Sequence, residues 1–438
     1  MTSPPGDAPT CGRDCSPDLE IGPLLGEGAD LVLAMAKGLF VNGQSSARVV
    51  ARTERLASRC GLKAHLFPRW GDLSLRIETG DEQRIWIAEA TPSGVDMTRV
   101  AGLSHIAGQI MEGRLAGPQA HAAIAVAART PPAPVWLFTL AAAGGAAALS
   151  VIFGVEHPAA VMLIVLSAGA GVLLRRWLAQ VSTNPYLQPF AAALLAGVIG
   201  AVAERLQLSS SLRLIAVCPC MILVPGPHVL NGGLDLLQGR VPLGAARLVF
   251  ATLVTMAIAC GLILGLAILG VDLPVDPVGH TVPLWADVAA AGVAVAAYGV
   301  FFNMPARMLP WPVAIGAMAH ALRWLVIAGF GFSPAGAAFT ACAAVGFVMA
   351  IVANRLHVPF AAAGFAAVVS MMPGVFLFRM ASGLAQIATA GAGAALLSDT
   401  ITDGVTAATV ILAMIIGLLV PKLVIDAGLK SGQGGASP

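Results

Sequence analysis

The sequence predicts an α-helical polytopic membrane protein. About ten transmembrane helices form two five-helix inverted repeats, preceded by a small soluble α+β domain. Three observations carry this reading. Hydrophobic residues make up 57% of the 438-residue chain and charged residues 11%, against about 25% charged in an ordinary soluble protein. Charge is unevenly placed: residues 1–133 hold 13 of the 25 Lys/Arg and 14 of the 23 Asp/Glu, whereas 134–421 hold 10 and 8. Within the apolar part, a stretch of the second half repeats one in the first.

Taken in order, residues 1–17 are rich in Pro and Asp and read as a disordered tail. Residues 18–130 form the polar domain. An amphipathic helix is predicted over Asp18–Val41, and a second over Ser45–Cys60 with Arg48, Arg52, Arg55 and Arg59 exposed. Strands follow at Lys63–Phe67, Leu73–Glu78 and Arg84–Glu89, separated by the turn signals Gly71-Asp72 and Gly80-Asp81. Helices near Asp96–Met111 and Pro118–Ala128 complete the domain, and Thr130–Pro134 is its exit linker.

Ten apolar stretches of bilayer-spanning length come next: 135–154, 158–174, 187–203, 212–227, 244–270, 284–304, 311–330, 334–353, 359–378 and 401–420. The first repeat takes 134–270 and the second 284–421, leaving 422–438 as a tail. Prolines interrupt or end spans four and nine. The positive-inside rule puts Arg175-Arg176, Arg240, Arg307, Arg355, Lys422 and Lys430 on the inner face, while Arg205, Arg213 and Arg379 fall on the outer side. Loop 271–283, with Asp272, Asp276 and His280 but no Lys or Arg, falls outside. The first thirty residues show no signal-peptide pattern, so both termini and the polar domain are expected in the cytoplasm, and the chain in the cell's inner membrane.

The repeat sets Phe190–Leu208 against Phe339–Val358, Glu204-Arg205-Leu206 against Asn354-Arg355-Leu356, and Val224-Pro225-Gly226 against Met372-Pro373-Gly374. Five spans per half make the second copy inverted, the layout of many secondary transporters. Helices broken at matching places are the best sequence pointer to a transport site. After the first break come His228, Asn231 and Asp235, spaced three and four apart and so on one helical face; a solvated loop at the inner surface would accommodate the same residues. Span seven carries His320 and Arg323 near its middle. A guanidinium there costs at least about 2.5–3.5 kcal/mol, so a cavity or a carboxylate is expected beside it, Asp403 being the favoured partner; a shifted or tilted span with Arg323 snorkelling is the competing reading. Span ten opens with Asp399 and Asp403 on one face, where capping explains Asp399 better than Asp403. Gly261 and Gly265 read as a close helix contact.

Seven cysteines without paired spacing give neither a disulfide framework nor a metal pattern. No P-loop, HExxH or GxSxG is present, so the chain is not expected to be an enzyme or to need a cofactor. With a net charge of +2 and no basic stripe, nucleic acid is not an expected partner.

Pro225-Gly226, Asn231, Asp235-Leu236-Leu237, Gly239, Gly244 and Arg247-Leu248, with Met372-Pro373-Gly374 and Arg379 in the second half, resemble the signature of the threonine/serine exporter family. The resemblance implies a cytoplasmic N-terminal domain ahead of ten membrane helices, and proton-driven export of small hydrophilic metabolites. Amino acids of the threonine/serine type are the expected substrates and dicarboxylates the alternative; a membrane-anchored enzyme or sensor is the reading from another class. Expected partners are the substrate, protons and the bilayer, and a homo-oligomer is compatible with this. The substrate or proton path then draws on Pro225, Gly226, His228, Asn231, Asp235, Arg247, His320, Arg323, Pro373, Gly374, Arg379, Asp399 and Asp403. Arg323 or Arg379 would meet a substrate carboxylate, and Asp235 or Asp403 an ammonium. The run Gly43–Val50 departs from the family pattern: Gly43, Arg48 and Val49 fit, but both acidic positions are lost.

Overall fold

The computed structural model describes residues 18–79, 82–155, 157–208, 212–272, 282–356, 360–391 and 393–434. The predicted tail 1–17 and the loop residues Asp276 and His280 lie outside them.

The polar domain is built from α1 (Asp18–Val41), α2 (Ser46–Arg59), β1 (Lys63–Pro68), β2 (Gly71–Thr79), β3 (Glu82–Ala90), α3 (Met97–Met111) and α4 (Gly117–Ala128). The strands form one antiparallel sheet in the order β1-β2-β3. Period-two alternation turns Leu73, Leu75 and Ile77 of β2 inward, all with no exposed surface, against Met35, Leu39 and Phe40 of α1. Asp96 caps α3 through a bond from Arg99 N to its Oδ1 (2.9 Å).

The membrane part follows as α5 (Val135–Ile152), α6 (Pro158–Val181), α7 (Leu187–Arg205), α8 (Leu212–Met221), α9 (Gly226–Leu237), α10 (Val241–Ala267), α11 (Leu284–Phe301), α12 (Pro310–Phe330), α13 (Pro334–Leu356), α14 (Phe360–Val368), α15 (Gly374–Ala390) and α16 (Ala394–Gly434). Among the described residues eight helices are long and apolar enough to cross a membrane, and up to ten spans result if each of two bent pairs counts as one. The chain is therefore a multi-pass membrane protein. The last helix, Ala394–Gly434, runs past the predicted span 401–420 at both ends and contains Pro421.

The two bent pairs share one local geometry. α8 and α9 meet at 53°, and α14 and α15 at 66°. Pro225 (φ −82°, ψ 55°) and Pro373 (φ −79°, ψ 44°) sit at the breaks. Gly226 N donates to Val224 O (2.9 Å) and Gly374 N to Met372 O (2.8 Å), so each proline is the centre of an inverse γ-turn. A Cβ on Gly226 would run into the Phe365 ring of α14, and one on Gly374 into Met221 of α8. Each break is thus filled by a side chain from the other broken helix.

Glycines also set the closest helix contacts. Gly261 and Gly265 of α10 lie on the carbonyls of Phe190 and Leu194 in α7, and Gly417 of α16 lies on that of Phe339 in α13, the small-residue approach that membrane helices use.

The polar domain docks directly on the membrane part. Met97 N and Thr98 N donate to the carbonyls of Phe302 (2.9 Å) and Asn303 (3.0 Å) in the α11–α12 turn. Asn303 Nδ2 donates to Asp96 Oδ2 (2.9 Å), and Trp70 packs on Phe250 of α10 with ring centroids 5.1 Å apart. These contacts define a domain side and a far side. They also correct the expected exposure of α2: Arg48 and Arg52 are half-buried, bonded to Asn354 of α13 and Ser104 of α3. Burial pushes the Arg48 guanidinium down, partly offset by Asp426. Arg52 falls to about 10 through burial and the neighbouring charges of Arg48 and Arg55.

Candidate functional site

The residues after the first break converge with α10 and the polar domain. Asp235 Oδ2 lies 3.0 Å from Arg247 Nε and accepts a 3.0 Å bond from Ser46 Oγ at the start of α2; Arg240 is 3.9 Å away. Asn231 Nδ2 donates to Gly43 O (3.3 Å). The Arg247 guanidinium stands 5.2 Å over the Phe40 ring, and His228 packs edge-on against Phe250 at 5.0 Å. His228, Asn231, Asp235 and Arg247 are 6%, 2%, 1% and 0% exposed, which removes the solvated-loop reading. Among the described residues, His228 Nδ1, Asn231 Oδ1 and Arg247 Nη1 are buried without a hydrogen-bond partner.

On the domain side of this cluster a cavity of about 840 Å3 is lined by Arg48, Arg52, Arg55, Arg240, Lys422 and Asp426. Ser45 belongs to its wall, and the next residue, Ser46, is buried on Asp235. The first turn of α2 therefore lies between this basic vestibule and the ion pair.

After the second break Arg379 Nε lies 3.0 Å from Asp403 Oδ2, both nearly buried. This corrects the expected Arg323–Asp403 pair. α15 and α16 are joined by a short turn and pack side by side, so a base one turn beyond Gly374 and an acid nine residues into α16 meet. Asp399 is exposed and stays out of the pair.

Arg323 instead shares a cavity with Asp287, a residue the sequence reading did not single out. The cavity, about 370 Å3, is lined by Asp287, Arg323, Trp324, Ser370, Met372 and Pro373 among others. Phe153 at the end of α5 and Val282 ahead of α11 also line it, which puts it toward the far side. At its base, Asp287 Oδ2 lies 3.0 Å from His320 Nδ1 and His320 Nε2 lies 2.6 Å from Ser370 Oγ. Asp287, His320 and Ser370 are 3%, 0% and 2% exposed. The order carboxylate–Nδ1, Nε2–hydroxyl orients an imidazole and fixes where its protons sit. Trp324 Nε1 ties α12 to the segment before α11 by donating to Val282 O (3.1 Å).

Of the sequence-chosen residues, Pro225 and Gly226 precede the first cluster, which gathers His228, Asn231, Asp235 and Arg247. Arg379 and Asp403 form a second site beyond Gly374. Arg323 and Pro373 line the cavity, and His320 lies behind it, bonded to the lining residues Asp287 and Ser370. The missed partners are Asp287, Ser370, Ser46 and Arg240. A lone carboxylate four residues into a span was the available signal for Asp287.

Residues 30–269 match the model of a family described as putative threonine/serine exporter, and residues 287–424 match one described as threonine/serine exporter. A probable threonine/serine exporter of Mycobacterium tuberculosis is 25% identical over 409 residues, which cover 86% of this chain and 75% of that protein. No solved structure matches the chain.

Proposed function

The chain belongs to the threonine/serine exporter family, and from that premise we propose that it moves threonine/serine-type amino acids out of the cell in exchange for protons. In this reading it lies in the inner membrane with both termini and the polar domain in the cytoplasm. Supporting that orientation, Arg240, Arg307 and Arg355 sit at helix ends on the domain side, as the positive-inside rule requires.

We read the two halves as inverted repeats. The matching inverse γ-turns at Pro225 and Pro373, the reciprocal filling of Gly226 and Gly374, and the parallel glycine contacts of α7–α10 and α13–α16 support it. Such a pair can expose one central site to either side in turn.

The observation that carries the substrate class is the far-side cavity, where Arg323 and Asp287 line one wall system beside the second break. A zwitterion needs a cation for its carboxylate and an anion for its ammonium, and this cavity offers both. The first turn of α2 over Asp235 and Arg247 fits a closed domain-side gate. Counterflow in proteoliposomes tests the reading: labelled threonine or serine should exchange, and Arg323→Ala should cut exchange at least tenfold with the protein still folded. Exchange of dicarboxylates without amino acids would assign the other substrate class.

A further inference from the structure

Asp287 and Ser370 do more than line a pocket: both hold the buried His320 behind it. His320 is held at both nitrogens, by Asp287 Oδ2 at 3.0 Å and Ser370 Oγ at 2.6 Å, and has no exposed surface. An imidazole so placed has two states. Neutral, its Nδ1–H donates to Asp287 and its Nε2 accepts the Ser370 hydroxyl. Protonated, it donates from both nitrogens, and Asp287 faces a full cation.

Resting on the exporter reading, we infer that Asp287 serves two cations by turns, the imidazolium of His320 and the ammonium of an amino acid in the cavity, so that proton and substrate exclude one another. One carboxylate neutralises one cation. Arg323 on the same cavity wall takes the substrate's own carboxylate, so with the imidazolium and the ammonium both present one buried cation would be left without a carboxylate. Mutual exclusion is the condition for exchange: the site releases its amino acid only when a proton takes its place. The proton comes from far-side water and bonds to the Nε2 lone pair. It leaves from the same nitrogen to domain-side water once the site has turned, and no other bond changes.

The groups facing His320 are few among the described residues. α11 brings Asp287, α12 brings Arg323 one turn away, and the 3-10 turn before Pro373 brings Ser370. α14 has no titratable side chain. Cys342 of α13 packs on Gly417 of α16, and Asp403 of α16 lies on Arg379. Ser370 also links the proton to the second break, since it stands three residues before Pro373, and its hydroxyl reverses from donor to acceptor when His320 is charged.

The test is equilibrium binding of labelled threonine to the full-length protein between pH 5.5 and 8.5, with fluorescence of the cavity-lining Trp324 as a second readout. The apparent Kd should rise as pH falls, approaching tenfold per pH unit at the acid end, as expected for displacement of one proton. His320→Gln should abolish that slope whatever its plateau. A wild-type Kd independent of pH, in protein that still performs threonine counterflow, would overturn this inference and leave the exporter reading standing. A slope that survives in His320→Gln would overturn it as well. Absence of any amino-acid exchange by the wild type would remove both. Should His320→Gln fail to fold, Ser370→Ala carries the test: loss of the Nε2 partner should move the midpoint of the pH dependence by at least about half a unit, and an unmoved midpoint would count against the assignment.

Discussion

Asp235–Arg247 and Arg379–Asp403 are two ion pairs with the same 3.0 Å separation, each following a Pro-Gly break. Their signs are exchanged. In the first half the acid rides on the broken helix and the base on the continuous one; in the second half the base rides on the broken helix and the acid on the continuous one. Their cover differs too. The first pair is roofed by the polar domain, with Ser46 bonded to the acid and Phe40 under the guanidinium, and its side chains are 0% and 2% exposed against 8% and 4% in the second. The far-side pair joins two membrane helices, α15 and α16, whereas the domain-side pair borrows its last layer from outside the bundle. A domain that reads as an independent cytoplasmic module is, at α2, part of the membrane machinery.

The largest expected effect comes from removing the roofed base. Arg247→Ala leaves Asp235 buried with only the more distant Arg240, 3.9 Å away, and the Ser46 hydroxyl on it, and should cost about 3–5 kcal/mol of stability, seen as a collapse of the thermal transition in detergent. Arg379→Ala should cost less, about 2–3 kcal/mol, because its pair is less completely sealed. Equal losses at the two sites would erase the contrast. Ser46→Ala comes next, at about 1.5–3 kcal/mol for a buried bond to a charged acceptor. Ser46→Thr keeps the hydroxyl and should restore most of it, whereas equal melting of both variants would mean that Ser46 fills space only. The smallest effect is at Arg52. Its folded-state pKa is lowered to about 10 by burial and by Arg48 and Arg55, so the folded protein holds this proton less tightly than the unfolded chain. The group is charged in both states at neutral pH, and the shift is a cost that is relieved only as pH rises above about 10. Arg52→Gln should therefore raise stability slightly, by less than about 1 kcal/mol at this half-buried position, read as a small rise in melting temperature. A fall would give the Ser104 bond the larger weight.

Much of the fold was legible locally. α1 runs over the predicted residues, and the β2 and β3 boundaries fall within two residues of the turn signals and alternation that suggested them. The two proline-interrupted spans fall on the two bent pairs but stop just past the breaks, short of the ends of α9 at Leu237 and α15 at Ala390. The site was legible only within single helices. The spacing of His228, Asn231 and Asp235 put them on one face, as found, but periodicity says nothing about which helices touch. Arg323 was accordingly expected beside Asp403 although Arg379 lies there. Asp287 and His320 are 33 residues apart, and a lone acid near a helix start reads as a dipole partner until the neighbouring helix is known. The arginines of α2 read as solvated because an amphipathic pattern does not reveal what else packs on its polar face.

The reciprocal seating of Phe365 at Gly226 and Met221 at Gly374 has a mechanical consequence. Neither broken helix can straighten or swing at its turn without first clearing a side chain that belongs to the other. The breaks are geared, so a displacement at one is passed to the other as steric work rather than through a long chain of polar contacts. In a packed interior that yields little to compression, gearing of this kind favours two discrete settings over a continuum. It gives the chain a reason to keep both glycines bare of side chains that is separate from any role in backbone flexibility.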